Sequence, residues 1–224
     1  MNKIISKLGY WSALISASTF VIWIICFVGI MATSPLFYWT NLTEYLDFIS
    51  SNNQFFQYLA KSFMIVFSMS FLVLMISLGE IVEADKKVLA KIGIVFGLIF
   101  TVLSSIHYFA QVSSVRWAIS GGQFEGIEHF LQANPTSFLS SINMLGWTLF
   151  LGLSTLFMAF AIGGNKTKKV IRVSLIINGI SCLLAGVGYI TQTDIITFLF
   201  INLFAGGALL VFTVSSSFMF HRGQ

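Results

Sequence analysis

Six stretches of the chain, 9–32, 57–80, 88–112, 138–162, 170–191 and 195–219, run almost without interruption through apolar side chains. A helix needs about 20 such residues to cross ~30 Å of hydrocarbon, so each stretch is predicted to be a membrane span. Barrel strands would be about half as long and would alternate polar with apolar positions. These runs do not alternate. The expected fold is therefore all-α, a six-transmembrane-helix bundle forming a single domain over residues 1–224. Lys3 and Lys7 before the first run, and Ile30-Met31-Ala32 at its end, loosely resemble a signal peptide. The apolar stretch is too long for a signal core, and it is expected to remain as a span.

Between the spans the pattern changes to a helical period of mixed character. Leu42, Tyr45, Leu46 and Ile49 recur at i, i+3, i+4 and i+7, with Glu44 and Asp47 opposite. Phe124, Ile127, Phe130 and Leu131 recur similarly, with Glu125 and Glu128 polar. Both segments are expected to be amphipathic and to lie on the outer face, roofing a cavity or resting on the bilayer, with Phe37, Tyr38 and Trp39 at headgroup depth. Ser34-Pro35 and Asn134-Pro135 read as helix starts, and Thr191 with Asp194 as a capping box opening the last span.

Composition agrees with this class, since 57% of residues are hydrophobic and only 9% charged. Charge adds the orientation. Lys3 and Lys7, then Lys86, Lys87 and Lys91, then Lys166, Lys168, Lys169 and Arg172, and finally Arg222 all fall on one side of a six-span chain. Cytoplasmic loops carry such an excess, so both termini are expected in the cytoplasm, with the connections 33–56 and 113–137 outside. Only Lys61 and Arg116 fall opposite. The net charge of +4 is accounted for by this asymmetry and implies lipid bilayer, not nucleic acid, as the partner. Lys61 reads most simply as a side chain snorkelling from the outer end of its span, and alternatively as a member, with Arg116 and Gln192, of the outer rim of a polar chamber. Glu83 and Lys87 are spaced for an i,i+4 pair.

Polar residues inside spans are the informative ones, because an unpaired polar group in hydrocarbon costs several kcal/mol. Ser104, His107, Gln111 and Ser114 share one face of the third span, beside Tyr108. Asn143 and Trp147 lie four apart on the fourth. Asn178, Cys182, Gly186, Tyr189 and Thr193 form a stripe on the fifth, and the sixth carries Asn202 and then Gly206. His107, Asn143, Tyr189 and Asn202 all fall in the outer half. With Gln111, Trp147 and Arg116 they define a candidate ligand site: hydrogen bonds from the amides, imidazole and phenol, a stacking wall from Trp147, and attraction for negative charge from Arg116. The competing reading is that these groups only stitch helices together. Small residues at Gly93 and Gly97, Ala185 to Gly188 and Ala205 to Ala208 allow close helix packing, within the bundle or in a homo-oligomer.

The inventory argues against several chemistries. No pair of intramembrane histidines can hold a haem, no lysine on the last span can form a retinal Schiff base, and no metal-ligand or catalytic cluster is visible. Cys26 and Cys182 read as small apolar filler. No catalytic residue, metal or cofactor is expected, and an enzyme is the least favoured class. No matching motif relates the two halves as an inverted repeat.

The sequence Ser104-Ser105-Ile-His107-Tyr108-Phe-x-Gln111, an outer loop ending Asn134-Pro135, and Asn143-Met-Leu-Gly146-Trp147 resemble small uncharacterised bacterial integral membrane proteins with six spans. The resemblance implies a multi-pass protein of the bacterial cytoplasmic membrane. It carries no activity with it, because those families have none assigned. The expectation is an integral membrane protein that binds or translocates a small amphipathic molecule through a polar cavity in the outer half. The alternative is an accessory or regulatory subunit of a larger membrane complex, docking through the 80–91 loop or a small-residue helix face.

Overall fold

A computed structural model describes residues 2–33, 39, 41–132, 136–164 and 166–222. Six helices are long and apolar enough to cross a bilayer: α1 (Lys3–Thr33), α3 (Phe55–Glu80), α4 (Ala84–Ser120), α5 (Phe138–Ala161), α6 (Lys166–Ile190) and α7 (Asp194–His221). The short α2 (Leu42–Ser51) stands between the first two of these. Among the described residues there is no strand. The six apolar helices suggest a multi-pass membrane protein. The expected helix starts at Ser34-Pro35 and Asn134-Pro135, and Phe37 and Tyr38, lie outside the described residues.

Each long helix packs on the next in sequence, and α7 returns to α1, so the six form a closed ring. Phe67, Phe71, Phe100, Phe212 and Phe220 fill its interior and are fully buried. Ile25, Val95, Phe109, Val187 and Phe218 point outward and are exposed, as a lipid-facing surface requires. Buried hydroxyls mostly bond back to carbonyls of their own helix. A few cross between helices: Ser16 Oγ to Ser70 Oγ at 2.8 Å, Thr101 Oγ1 to the Ser68 carbonyl at 3.0 Å, and Ser154 Oγ to the Gly93 carbonyl at 2.7 Å. Backbones approach closely where side chains vanish. A Cβ on Gly93 would lie 2.9 Å from the Ser154 carbonyl oxygen, and one on Gly179 would lie 2.8 Å from that of Gly152.

The start of α1 and the end of α7 lie at one end of the ring, where Phe220 packs over Gly9. The α3–α4 and α5–α6 connections meet at the same end, with Glu83, Ile162, Lys168 and Met219 around one small crevice. Opposite lies the far end, where α2 and the α4–α5 connection sit. At the terminal end, Lys86 pairs with Glu83 at 3.3 Å and Lys87 with Glu80 at 3.8 Å. This corrects the expected Glu83–Lys87 pair. Residues 84–86 form a 3₁₀ turn, and the i,i+4 rule holds only inside an α-helix. Lys87 Nζ also donates to the Gly79 and Glu80 carbonyls at 2.9 and 3.1 Å, closing the C-terminus of α3.

Three helices contain a π-helical segment in their far-end portion: Gln111–Val115 in α4, Gly146–Phe150 in α5 and Leu199–Ala205 in α7. Each admits extra backbone into the turn and rotates the remainder of its helix. In α4 this moves Ser114 off the expected polar face into an exposed position, and Ser113 and Val115 are buried instead. The same helix runs on to Ser120, so Arg116 and Trp117 stand on it and not in a loop. At the end of the α7 turn α6 adds a bond of its own, Asn178 Nδ2 donating to the Ala205 carbonyl at 3.0 Å. The expected capping box does not form. Thr191 Oγ1 turns back to the Val187 carbonyl at 2.9 Å, and α7 starts after Thr193 instead, across a tight turn in which Gln192 has φ 54°.

Candidate functional site

A cavity of about 300 Å³ opens inside the far end of the ring. Its walls follow from helical spacing. α1 supplies Phe20, Trp23, Phe27 and Ile30, all on one face, and α3 supplies Gln57, Ala60, Lys61 and Met64, with Gln54 just before its first turn. α4 contributes Tyr108, α5 Asn143, Met144 and Trp147, and α7 Ile201, Asn202 and Gly206. Tyr45, Phe48 and Ile49 of α2, together with Gln132, complete the lining. The short α2 forms because Asn41 caps it, accepting from the Glu44 amide at 3.0 Å.

The lining rings Phe20, Trp23, Phe27 and Trp147 pack against one another and, behind the cavity, against Phe67 and Phe100. Trp23 stacks between Phe20 and Phe27, at centroid separations of 5.5 and 5.6 Å. Phe20 leans on Phe67, which lies nearly parallel to Trp147 at 6.0 Å, and Phe100 meets the edge of Trp147 at 5.1 Å. Trp147 Nε1 donates to Tyr108 Oη at 3.2 Å, which fixes both side chains. The Asn143 side chain also hydrogen-bonds this phenol, so Tyr108, Trp147 and Asn143 form one polar cluster on the cavity wall.

The lining also carries polar groups. Asn143 Oδ1 and Gln132 Oε1 are buried with no hydrogen-bond partner among the described residues. Asn202 Nδ2 bonds the Phe198 carbonyl of its own helix at 3.0 Å, which leaves its oxygen as the available group. Burial pushes the Tyr45 phenol above its ordinary range, and nearby Tyr58 adds to the shift, so this group is a neutral donor. Lys61 is half-buried, and its ammonium lies 5.8 Å from the Tyr58 ring centroid.

The structure brings together three of the seven expected site residues, Asn143, Trp147 and Asn202. The other four stand elsewhere. His107 is fully buried, with Nδ1 3.1 Å from the Leu139 carbonyl, and Gln111 Nε2 donates to the Phe130 carbonyl. Ser137 Oγ and Ser140 Oγ bond the carbonyls on either side, those of His129 and Leu131, at 3.0 and 3.3 Å. Gln111 and Ser140 thus fasten the α4–α5 connection to the bundle, Ser137 ties it to the start of α5, and His107 joins α4 to α5; beside them Ile127 and Leu131 bury against Trp39 and Val115. Tyr189 Oη meets Ser141 Oγ at 3.2 Å, tying α6 to α5. Arg116 is exposed, with its guanidinium 4.9 Å from the Tyr58 centroid. Gln57 and Gln132 are lining residues that the spacing of polar positions does not single out, while Tyr108, read as lying beside the polar face of its span, and Lys61, read as a snorkelling or rim residue, line the chamber as well. The signal for Lys61 was its charge inside an apolar run.

Two further features limit the chemistry. Among the described residues, the cavity lining contains no Asp, Glu, His or Cys. Nor, among them, is any group of three or more His, Cys, Asp or Glu side chains placed to hold a metal ion. The arrangement is suited to holding a molecule by shape, stacking and hydrogen bonds. No protein-family model, curated protein or solved structure matches the chain.

Proposed function

We propose that this protein binds or translocates a small amphipathic molecule, held in the far-end cavity, which the charge asymmetry assigns to the outer half of the membrane. The observation that carries this reading is a cavity lined by the rings of Phe20, Trp23, Phe27 and Trp147 together with two amide oxygens, of Asn143 and Gln132, that are buried and without a hydrogen-bond partner among the described residues. Ligand pockets are built in this way, mostly apolar with a few placed polar groups. The π-helical turns at the level of Trp147 and Asn202 add support, because such turns collect at functional sites.

In this reading Asn143, Asn202 and Gln132 accept hydrogen bonds from the ligand, Tyr108 donates one, and Trp23 and Trp147 border its apolar part. His107, Gln111 and Tyr189 hold the frame, and Arg116 stands at the rim. Native mass spectrometry of protein released from gentle detergent should reveal a bound small molecule. In Asn143→Leu, occupancy of that molecule should fall about tenfold, the worth of one well-made hydrogen bond, while the melting temperature stays near wild type. A wild-type protein that carries no small molecule, and takes up none from membrane lipid extracts, would remove the proposal.

A further inference from the structure

We infer that the ligand bears an anionic oxyanion head, carboxylate or phosphate, on an apolar tail, and that Lys61 receives that head; the inference rests on the proposed binding cavity. Among the described residues, Lys61 is the one cation in the cavity lining, and the lining holds no Asp or Glu. Among the same residues it has no hydrogen bond and no carboxylate within ion-pair distance. Its contact is the Tyr58 ring, near the outer limit of cation–π range. A snorkelling lysine would carry its ammonium to the open headgroup layer. Here Tyr45, Phe48 and Ile49 of α2 border the same space, so the charge faces a partly covered chamber.

An ammonium so placed is weakly solvated and lacks a counter-charge, and an incoming anion supplies one. Tyr108 and Tyr45 border the same chamber and bring neutral O–H donors that suit an oxyanion and do nothing for a cationic head. Arg116, exposed and on the same Tyr58 ring, extends the positive potential from the rim towards Lys61. Phe20, Trp23, Phe27, Ile30 and Met64 form the apolar surface for the tail.

The test uses the full chain in neutral phosphatidylcholine nanodiscs, photolabelled in separate samples with diazirine-bearing dodecanoate and diazirine-bearing dodecanol and mapped by peptide mass spectrometry. Unlabelled dodecanoate, dodecyl phosphate and dodecanol compete at equal mole fraction in the bilayer. Labelling is expected on the α1 and α5 walls. At least one of the two anions should compete about tenfold better than the alcohol, and the stronger anion identifies the head. Lys61→Met should abolish that preference without weakening dodecanol, and Lys61→Arg should keep it. If dodecanol competes as well as both anions in the wild type, the anionic head is excluded while the cavity reading stands. If no probe labels the cavity walls, the cavity reading itself fails. Should Lys61→Met not fold, the wild-type ranking and Lys61→Arg still decide.

Discussion

At His107 the partner is the Leu139 carbonyl, which can only accept, so Nδ1 is the nitrogen that carries the proton. Nε2 is left as a buried acceptor without a partner among the described residues. This is a fastening role. His107→Phe should remove this bond between α4 and α5, destabilise the protein by about 1–3 kcal/mol, and speed amide hydrogen exchange over residues 127–140. Ligand occupancy should stay unchanged. Lost occupancy with unaltered exchange would instead place His107 in the binding site. The sequence shows that the polar positions of α4 share a face, and in the structure Ser104, His107 and Gln111 are indeed all buried. It does not show what faces them. His107 meets a carbonyl in the first turn of α5 and Gln111 one in the α4–α5 connection, while Lys61, which reads as a rim residue, lines the chamber because α2 borders its far side. Depth along a helix is legible in a sequence; what covers the helix end depends on a connection folding back.

Among the elements, the six spans were the most legible feature, since a long apolar run has few alternatives and the helix ends fall within a few residues of it on most sides. α4 is the exception, continuing through Ser113 and Ser114 to Ser120. Its π turn keeps the backbone bonded through a polar stretch that reads as the start of a loop. No pattern in the apolar periodicity marks a π turn, and the expected position of Ser114 fails for that reason. Helix contact was legible only in part. Gly93 and Gly97 do meet α5, whereas the tightest crossing, between Gly152 and Gly179, lacks the four-residue spacing that marks a small-residue motif. At that crossing a Cβ on Gly179 would press on Leu156 and on the Gly152 carbonyl oxygen. Gly179→Ala should therefore cost about 1–3 kcal/mol, read as a lower melting temperature. Gly207, with open space where its Cβ would be, should accept alanine without loss. Equal melting temperatures for the two variants would show that α5 and α6 can separate freely.

For the molecule as a whole, the basic residues gather at the end where α1 starts and α7 ends, and Lys61 and Arg116 stand at the other. If the positive-inside rule governs this chain, cysteine introduced at Ser51, exposed at the far end, should react in intact cells with a membrane-impermeant maleimide. Cysteine at Ala84 should react only after permeabilisation. Cys26 and Cys182 are free and buried and should leave the background low. The reverse labelling pattern would invert the orientation and turn the cavity towards the other compartment. The order of helices in the ring was not legible, because six apolar stripes of similar strength permit many circular arrangements. The π turns matter on a longer timescale. Removing one residue from such a turn would swing the remainder of that helix by about 100°, taking Asn202 or Trp147 from the chamber and presenting a neighbour instead. Related proteins that kept this ring could therefore change what they hold through small insertions and deletions, with every remaining residue unchanged.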